Sequence, residues 1–398
     1  MRPTLPVVCG LLIVSVAFGV SPARLATAQR VIVGPVTPPP PEKLPVSPDT
    51  TPIPASFSRY SVTVIGTGTS PGGFSDTGYV TGTVTTAENK RHAFLWKDGK
   101  LTDLGTLAFD ESMGTGVNDL GEVTGISTAI AGHVPDGTPM EGRHPFLYKD
   151  GKMTDISVPG LEGIANEWTA YDINNRGMVV GQMTGQGGRS PAASWQRGRL
   201  TSLGTIGGYS ATAYACSDRG VIVGRTTVAG FNEERTGEEP AFLYKGGRMI
   251  ELGTLGGKSS TALDVNNNGD VVGFSSLTPI TDHPTHAFVV RRGKMTDLGT
   301  FGANSSGNDH SSSSANGIND AGQIVGTDEF PSYGKVYFLY QNGVKIDLQR
   351  LVSRESGWSL DPNSGKIRIN NRGQILCQGQ KAERGSSALL LSPIPAAP

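Results

Sequence analysis

The stretch Ala170-Tyr171-Asp172-Ile173-Asn174-Asn175-Arg176-Gly177-Met178-Val179-Val180-Gly181 decides how this chain folds. It reads as a short apolar-rich strand, a tight turn and a β-branched strand. Asn-Asn-x-Gly is the turn signal, because Gly adopts positive φ without strain and Asn tolerates it. The pattern returns at Ala262–Gly273 and Ala315–Gly326, and again at Gly116–Gly125. Weaker copies run Phe74–Gly82, Ala215–Gly224 and Ile367–Cys377, where Cys377 stands in place of the closing Gly. The seven turn glycines, from Gly78 to Gly373, lie 43 to 56 residues apart. Self-similarity at that period is a signature of propeller blades.

A second motif follows each copy. His92-Ala93-Phe94-Leu95-Trp96-Lys97-Asp98-Gly99-Lys100 leads into Leu101-Thr102-Asp103-Leu104-Gly105-Thr106. The motif recurs from His144, Pro191, Pro240 and His286, and more loosely from Val336. It adds an aromatic-rich strand, a second tight turn and an alternating strand. Each unit thus holds four short antiparallel strands, A to D, with no helical period. The expected fold is all-β: a β-propeller of seven four-stranded blades, whose radial packing buries both faces of each sheet. The last unit has strands at Ile367–Ile369, Gln374–Leu376 and Ala388–Leu391 but no D strand. The segment Tyr60–Thr67, ahead of the first unit, resembles a D strand. Added to the final blade, this N-terminal strand closes the ring.

The run His-Ala-Phe at His92 and His286, with Gly-x-Val-Val-Gly before it and Thr-Asp-Leu-Gly-Thr after it, resembles the HAF-repeat family of extracellular bacterial repeat proteins. The resemblance covers roughly Tyr60 to Leu391. Pro191 and Pro240 depart from it where His is expected, and Ala193 replaces the Phe. It implies a secreted repeat protein and supplies no activity or site residue.

Composition narrows the class further. A net charge of −1 over 398 residues leaves no basic stripe for nucleic acid. The 55 glycines and a charged fraction of only 17% fit many tight turns between short strands. Residues 1–28 read as a signal peptide: Arg2, an apolar run Val7–Val20, then Ala26-Thr27-Ala28. An uncleaved anchor is the other reading, although the apolar run is short of the roughly 20 residues of a span. Residues 29–56 form a Pro-rich linker, with nine prolines between Pro35 and Pro54, expected in extended polyproline II. The propeller takes 57–392 and a tail 393–398. The chain is expected to be secreted, extracellular or periplasmic, monomeric, and without a membrane span after cleavage. Cys216 and Cys377 fall three units apart and read as buried thiols rather than a disulfide.

Repeat phase separates architecture from function. His92, His144 and His286 share one phase, as do Asp103, Asp155 and Asp297, so neither set can converge on one ion. The out-of-phase His133, His283 and His310 lack partners at ligand spacing. No metal, cofactor or catalytic residue is assigned. The A–B and C–D connections are short and uniform, whereas the B–C and D–A connections are long and unlike one another. Strand alternation puts the variable loops on one face, a usual arrangement for binding. Their aromatics Trp168, Tyr209, Phe231, Tyr333 and Trp358 are the candidate ligand contacts. Trp168 precedes an innermost strand and is expected near the mouth of the central channel. These features point to a recognition module for a glycan or a cell-surface protein. An extracellular carbohydrate-active hydrolase or lyase on the same scaffold is the alternative, and a structural surface component a third. Inward-facing carboxylates around the axis would favour the enzyme; aromatics without them would favour binding.

Deleting residues 57–67 is expected to leave an edge strand unpaired, lower the melting temperature and promote aggregation. A truncated chain that stays monomeric with an unchanged melting temperature would rule the closing strand out.

Overall fold

The computed structural model describes residues 52–395, leaving out residues 135, 158–167, 185–187, 229–237, 279–283, 302–310, 331–333, 365 and 383. The expected signal peptide and most of the Pro-rich linker therefore lie outside the described residues. The described residues belong to one compact unit. Its strands form seven antiparallel blades arranged as a propeller. The innermost strands A are Thr69–Phe74, Ser112–Val117, Trp168–Ile173, Gly207–Cys216, Ser260–Val265 and Ser313–Ile318 in blades 1 to 6. In blade 7 strand A is split into Ser359–Leu360 and Arg368–Ile369, both paired with strand B, Ile375–Lys381. Strands A of neighbouring blades pack on one another around the axis.

Blade 7 closes the ring as the sequence leads one to expect. Its strand C, Gly385–Pro393, pairs on its outer side with Tyr60–Thr67, from Tyr60↔Pro393 to Thr67↔Ser387. Phe57 and Tyr60 are buried against Leu348, Leu351, Val352 and Trp358, so apolar burial anchors the N-terminal segment as well as the ladder.

The turns after strand A explain why the repeat carries Asn-Asn/Asp-x-Gly. The first turn residue locks its own hairpin. Asn174 Oδ1 accepts from the N–H groups of Arg176 and Met178, at 3.0 and 3.1 Å. Gly177, Gly269 and Gly322 close their turns at φ of 69°, 84° and 77°. The same asparagines reach sideways. Asn118, Asn174, Asn266, Asn319 and Asn370 each donate from Nδ2 to the main-chain carbonyl of the next blade's turn, at 2.9–3.2 Å. The second turn residue makes a parallel set of links. The N–H of Asp119, Asn175, Asp218, Asn267, Asp320 and Asn371 each donates to the equivalent side chain one blade on, at 2.7–3.1 Å. Thr77 N–H completes the circle by donating to Asp119 at 2.8 Å. A hydrogen-bonded belt therefore runs through all seven blades.

The second motif is explained by the joint at the outer strands. In blade 1 the His92 ring nitrogen pairs with Asp103 across strands C and D at 2.9 Å, and Asp103 also accepts from Gly105 N–H. The pairs His144–Asp155 and His286–Asp297 repeat this at 2.7 and 2.9 Å. Ala93 N–H donates to Ser112 Oγ of blade 2, and that hydroxyl donates to the carbonyl of Gly105. One serine thus ties the His-Ala-Phe strand and the Leu-Gly-Thr end of one blade to strand A of the next. Ser260 and Ser313 do the same. At the closing seam Thr69 plays the part, accepting from Ala388 N–H and donating to Gly66 O. The motif phenylalanines Phe94, Phe146, Phe242 and Phe288 are fully buried between blades.

The closing Gly of strand B answers to a bulge in strand A. A Cβ on Gly181 would stand 1.7 Å from the Thr169 carbonyl oxygen, and one on Gly224 1.8 Å from that of Thr212. Gly82, Gly125, Gly273 and Gly326 face the same obstruction. In blade 7 the split strand A removes it, and Cys377 takes the position fully buried. Replacing Gly181 or Gly224 with Ala should lower stability by about 2–3 kcal/mol, the upper part of the overpacking range. Cys377→Ala should cost only about 1 kcal/mol. Equal shifts of the urea midpoints in all of them would contradict this account.

Candidate functional site

Strand alternation leaves the propeller with two unlike faces. The A–B and C–D turns occupy one. Its C–D turns are tight pairs at positive φ, such as Asp98 and Gly99 at 47° and 86°, or Asn342 and Gly343 at 52° and 82°. The opposite face carries the B–C and D–A connections. Blade 2 carries a long hairpin there: its strands B and C, Val123–His133 and Pro139–Lys149, run 11 residues each. The hairpin exposes Ile130 and Met140.

Among the described residues, Tyr209 is a fixed aromatic of this face. It lies near the start of strand A of blade 4, two residues after Gly207, and the residue is 68% exposed. Its backbone is pinned to the B–C connection of blade 3: Ser190 N–H donates to Tyr209 O and Ala211 N–H to Ser190 O, both at 2.8 Å. Gln182 Nε2 donates to Ser210 Oγ at 3.1 Å beneath them. Ser210 N–H donates to Thr227 Oγ1 at 2.9 Å. The guanidinium carbon of Arg189 stands 5.9 Å from the ring centroid, at the limit of a cation–π contact. An exposed flat ring, a neighbouring cation and a backbone held by main-chain bonds make a rigid platform. Arg189 was not legible as its neighbour, because the link runs between two connections of different blades.

The other candidate aromatics are placed differently. Trp168 is 3% exposed and offers no ring face to solvent. Its indole N–H donates to Ile156 O at 3.1 Å, and it packs with Ala170, Ile173 and Val179. It does not stand free at a channel mouth, because the alternation of strand A turns it between blades. Trp358 is 5% exposed and sits in the core that anchors the closing strand. Phe231 and Tyr333 lie outside the described residues.

Among the described residues no group of three or more His, Cys, Asp or Glu is placed to hold a metal ion, and no helix is long and apolar enough to cross a membrane. Cys216 and Cys377 are free, and burial raises both thiols above their ordinary pKa, which disfavours the reactive thiolate. Among the described residues, the loop carboxylates Asp110 and Glu239 make surface ion pairs, with Lys90 at 2.6 Å and Arg225 at 2.9 Å.

Residues 206–383 match the model of a family described as a protein of unknown function, DUF3466. A comparison with curated proteins gives no match. Among solved structures, the chain is similar to a Mycobacterium tuberculosis puromycin-hydrolyzing peptidase, at 10% identity and a TM-score of 0.49, over 85% of this chain and 53% of that one. It is similar to the β-propeller domain of the Trilobed protease from Pyrococcus furiosus, at 7% identity and 0.49, over 84% and 94%. It is also similar to a lectin from Burkholderia pseudomallei, at 9% identity and 0.40, over 84% and 100%. The chain spans about half the length of the first of these. At such identities the likeness concerns the fold alone.

Proposed function

We propose that this chain is an exported recognition module that binds a glycan or protein ligand on its variable-loop face. The observation that carries the reading is Tyr209, a largely exposed ring on a backbone fixed by two inter-blade main-chain bonds. A platform ordered before binding loses little entropy when a ligand stacks on it. Rigid amphipathic aromatics beside an arginine are the residue types that dominate binding energy. The apparent signal peptide, the Pro-rich linker and the resemblance to HAF-repeat proteins support export. The hydrolase or lyase reading draws on Asp172 and Asp264, carboxylates that line the axial cavity from blades 3 and 5. Release of reducing ends or unsaturated products from a polysaccharide, abolished in Asp172→Asn, would favour it.

A glycan-array screen and a cell-wall pull-down with the secreted chain should recover a ligand. Tyr209→Ala should weaken its binding by about 1–2 kcal/mol without lowering the melting temperature. Trp358→Ala should instead destabilise the fold by roughly 3–5 kcal/mol. Changes at Asp98 or Asp150, in the opposite-face turns, should leave binding intact. Loss of binding from the Asp98 side alone would place the site on the other face.

A further inference from the structure

The turn end of the central axis holds a cavity of about 150 Å³, walled by the seven copies of strand A and their turns. The wall is not uniform. Two residues before the first turn residue, four blades carry Gly or Ala, whereas blades 3, 5 and 7 carry Asp172, Asp264 and Arg368. One residue earlier, blades 3 and 4 add Tyr171 and Tyr214, with ring centroids 5.5 Å apart and planes inclined at 59°. The fold accepts Gly or Ala at the first of these positions, so ring closure does not call for the charges.

The charged groups are held in place by neighbours and keep bonding capacity to spare. Asp172 Oδ2 accepts from Cys216 N–H, and Asp264 Oδ2 from Ile318 N–H, each at 2.9 Å. Arg368 donates to the Asn316 carbonyl, which uses one of its five N–H groups. The side-chain oxygen of Asn316, at the same phase as the two tyrosines, is buried without a partner. Burial raises both carboxylates, Asp172 to about 6, and Arg368 opposes the rise in each. Keeping three charges where the fold needs none carries a desolvation cost, and such groups cluster at functional sites.

We propose that the turn end of the axis is a second binding site, which takes one neutral sugar ring. Its hydroxyls donate to Asp172 and Asp264, Arg368 donates to ring or hydroxyl oxygens, and an apolar C–H face lies against Tyr171 and Tyr214. The charge balance argues for a neutral ligand. Two carboxylates share the wall with Arg368, and burial lowers the pKa of Lys366 to about 8, with Arg368 adding to the fall and Asp172 opposing it. At the mouth the belt adds the carboxylates of Asp76, Asp119, Asp218 and Asp320, which repel an anion. The small volume suits one ring, against roughly 300–1,000 Å³ for drug-sized pockets.

The test is calorimetric titration of the full secreted chain with the methyl glycosides of glucose, galactose and mannose, and with glucuronate for comparison. Saturable binding of at least one neutral glycoside is expected, with glucuronate weaker. Arg368→Gln and Asp264→Asn should each weaken it about tenfold, the scale of one lost charge-assisted hydrogen bond. Tyr209→Ala should leave it unchanged. Melting temperatures would show that the variants fold, and Tyr214→Ala is a further arm if one does not. No saturable binding of any neutral glycoside overturns the proposal. So does unchanged affinity in the folded axial variants, or a preference for glucuronate.

Discussion

The asparagine at the head of five of the seven A–B turns faces two ways, and the ring depends on it. In blade 3, Asn174 Oδ1 accepts from its own turn while Nδ2 donates to the Ser217 carbonyl of blade 4. The residue that shapes the hairpin is thus also the one that joins it to its neighbour. A side chain that competes for local backbone bonds disfavours regular helix and is well suited to this task. It also meets polar backbone groups at a crowded axis, where leaving them unpaired would be costly. Ser75 and Ser217 lack the amide. At those joints the next residues carry the link, through Thr77 to Asp119 and Asp218 to Asn267. The two sets of bonds back one another up.

Much of this was legible because a repeat can be compared with itself. The seven Asn/Asp-Gly turns mark the blades, and the missing D strand after Leu391 matches the orphan strand at Tyr60. Positive φ at Gly177, Gly269 and Gly322 follows from the turn chemistry. What was not legible depends on neighbours in space. In the sequence Trp168 and Trp358 stand at or just before the start of strand A, as an exposed loop aromatic would, yet both are buried. Cys377 looked like a worn copy of the closing Gly; it is permitted because strand A of blade 7 is split. The axial charges were present as a signal that phase comparison would have isolated. Asp172 and Asp264 sit inside the repeat, where they pass for ordinary strand residues until set beside Gly116 and Gly317.

The two faces divide the labour of the molecule. On the turn face the same short connections repeat blade after blade, and departures from uniformity are confined to the axis, at Tyr171, Asp172, Tyr214, Asp264 and Arg368. On the opposite face the described connections differ, from the long hairpin of blade 2 to the pinned Tyr209 of blade 4. Belts and serine bridges hold the ring independently of either region. That leaves loops and axis free to vary without loss of closure, which is why fold alone leaves the ligand open.

The seam between the ends of the propeller is built like the joints at Ser112, Ser260 and Ser313. Thr69 binds Ala388 and Gly66 there as Ser112 binds Ala93 and Gly105 between blades 1 and 2. Tyr60 and Pro393 lie opposite one another in a single sheet. Covalent order is therefore incidental to this ring. A chain joined across that seam by a short linker and reopened in the C–D turn of another blade would hold the same contacts. Its new ends would again complete a blade from two directions, as a circular permutant of the parent.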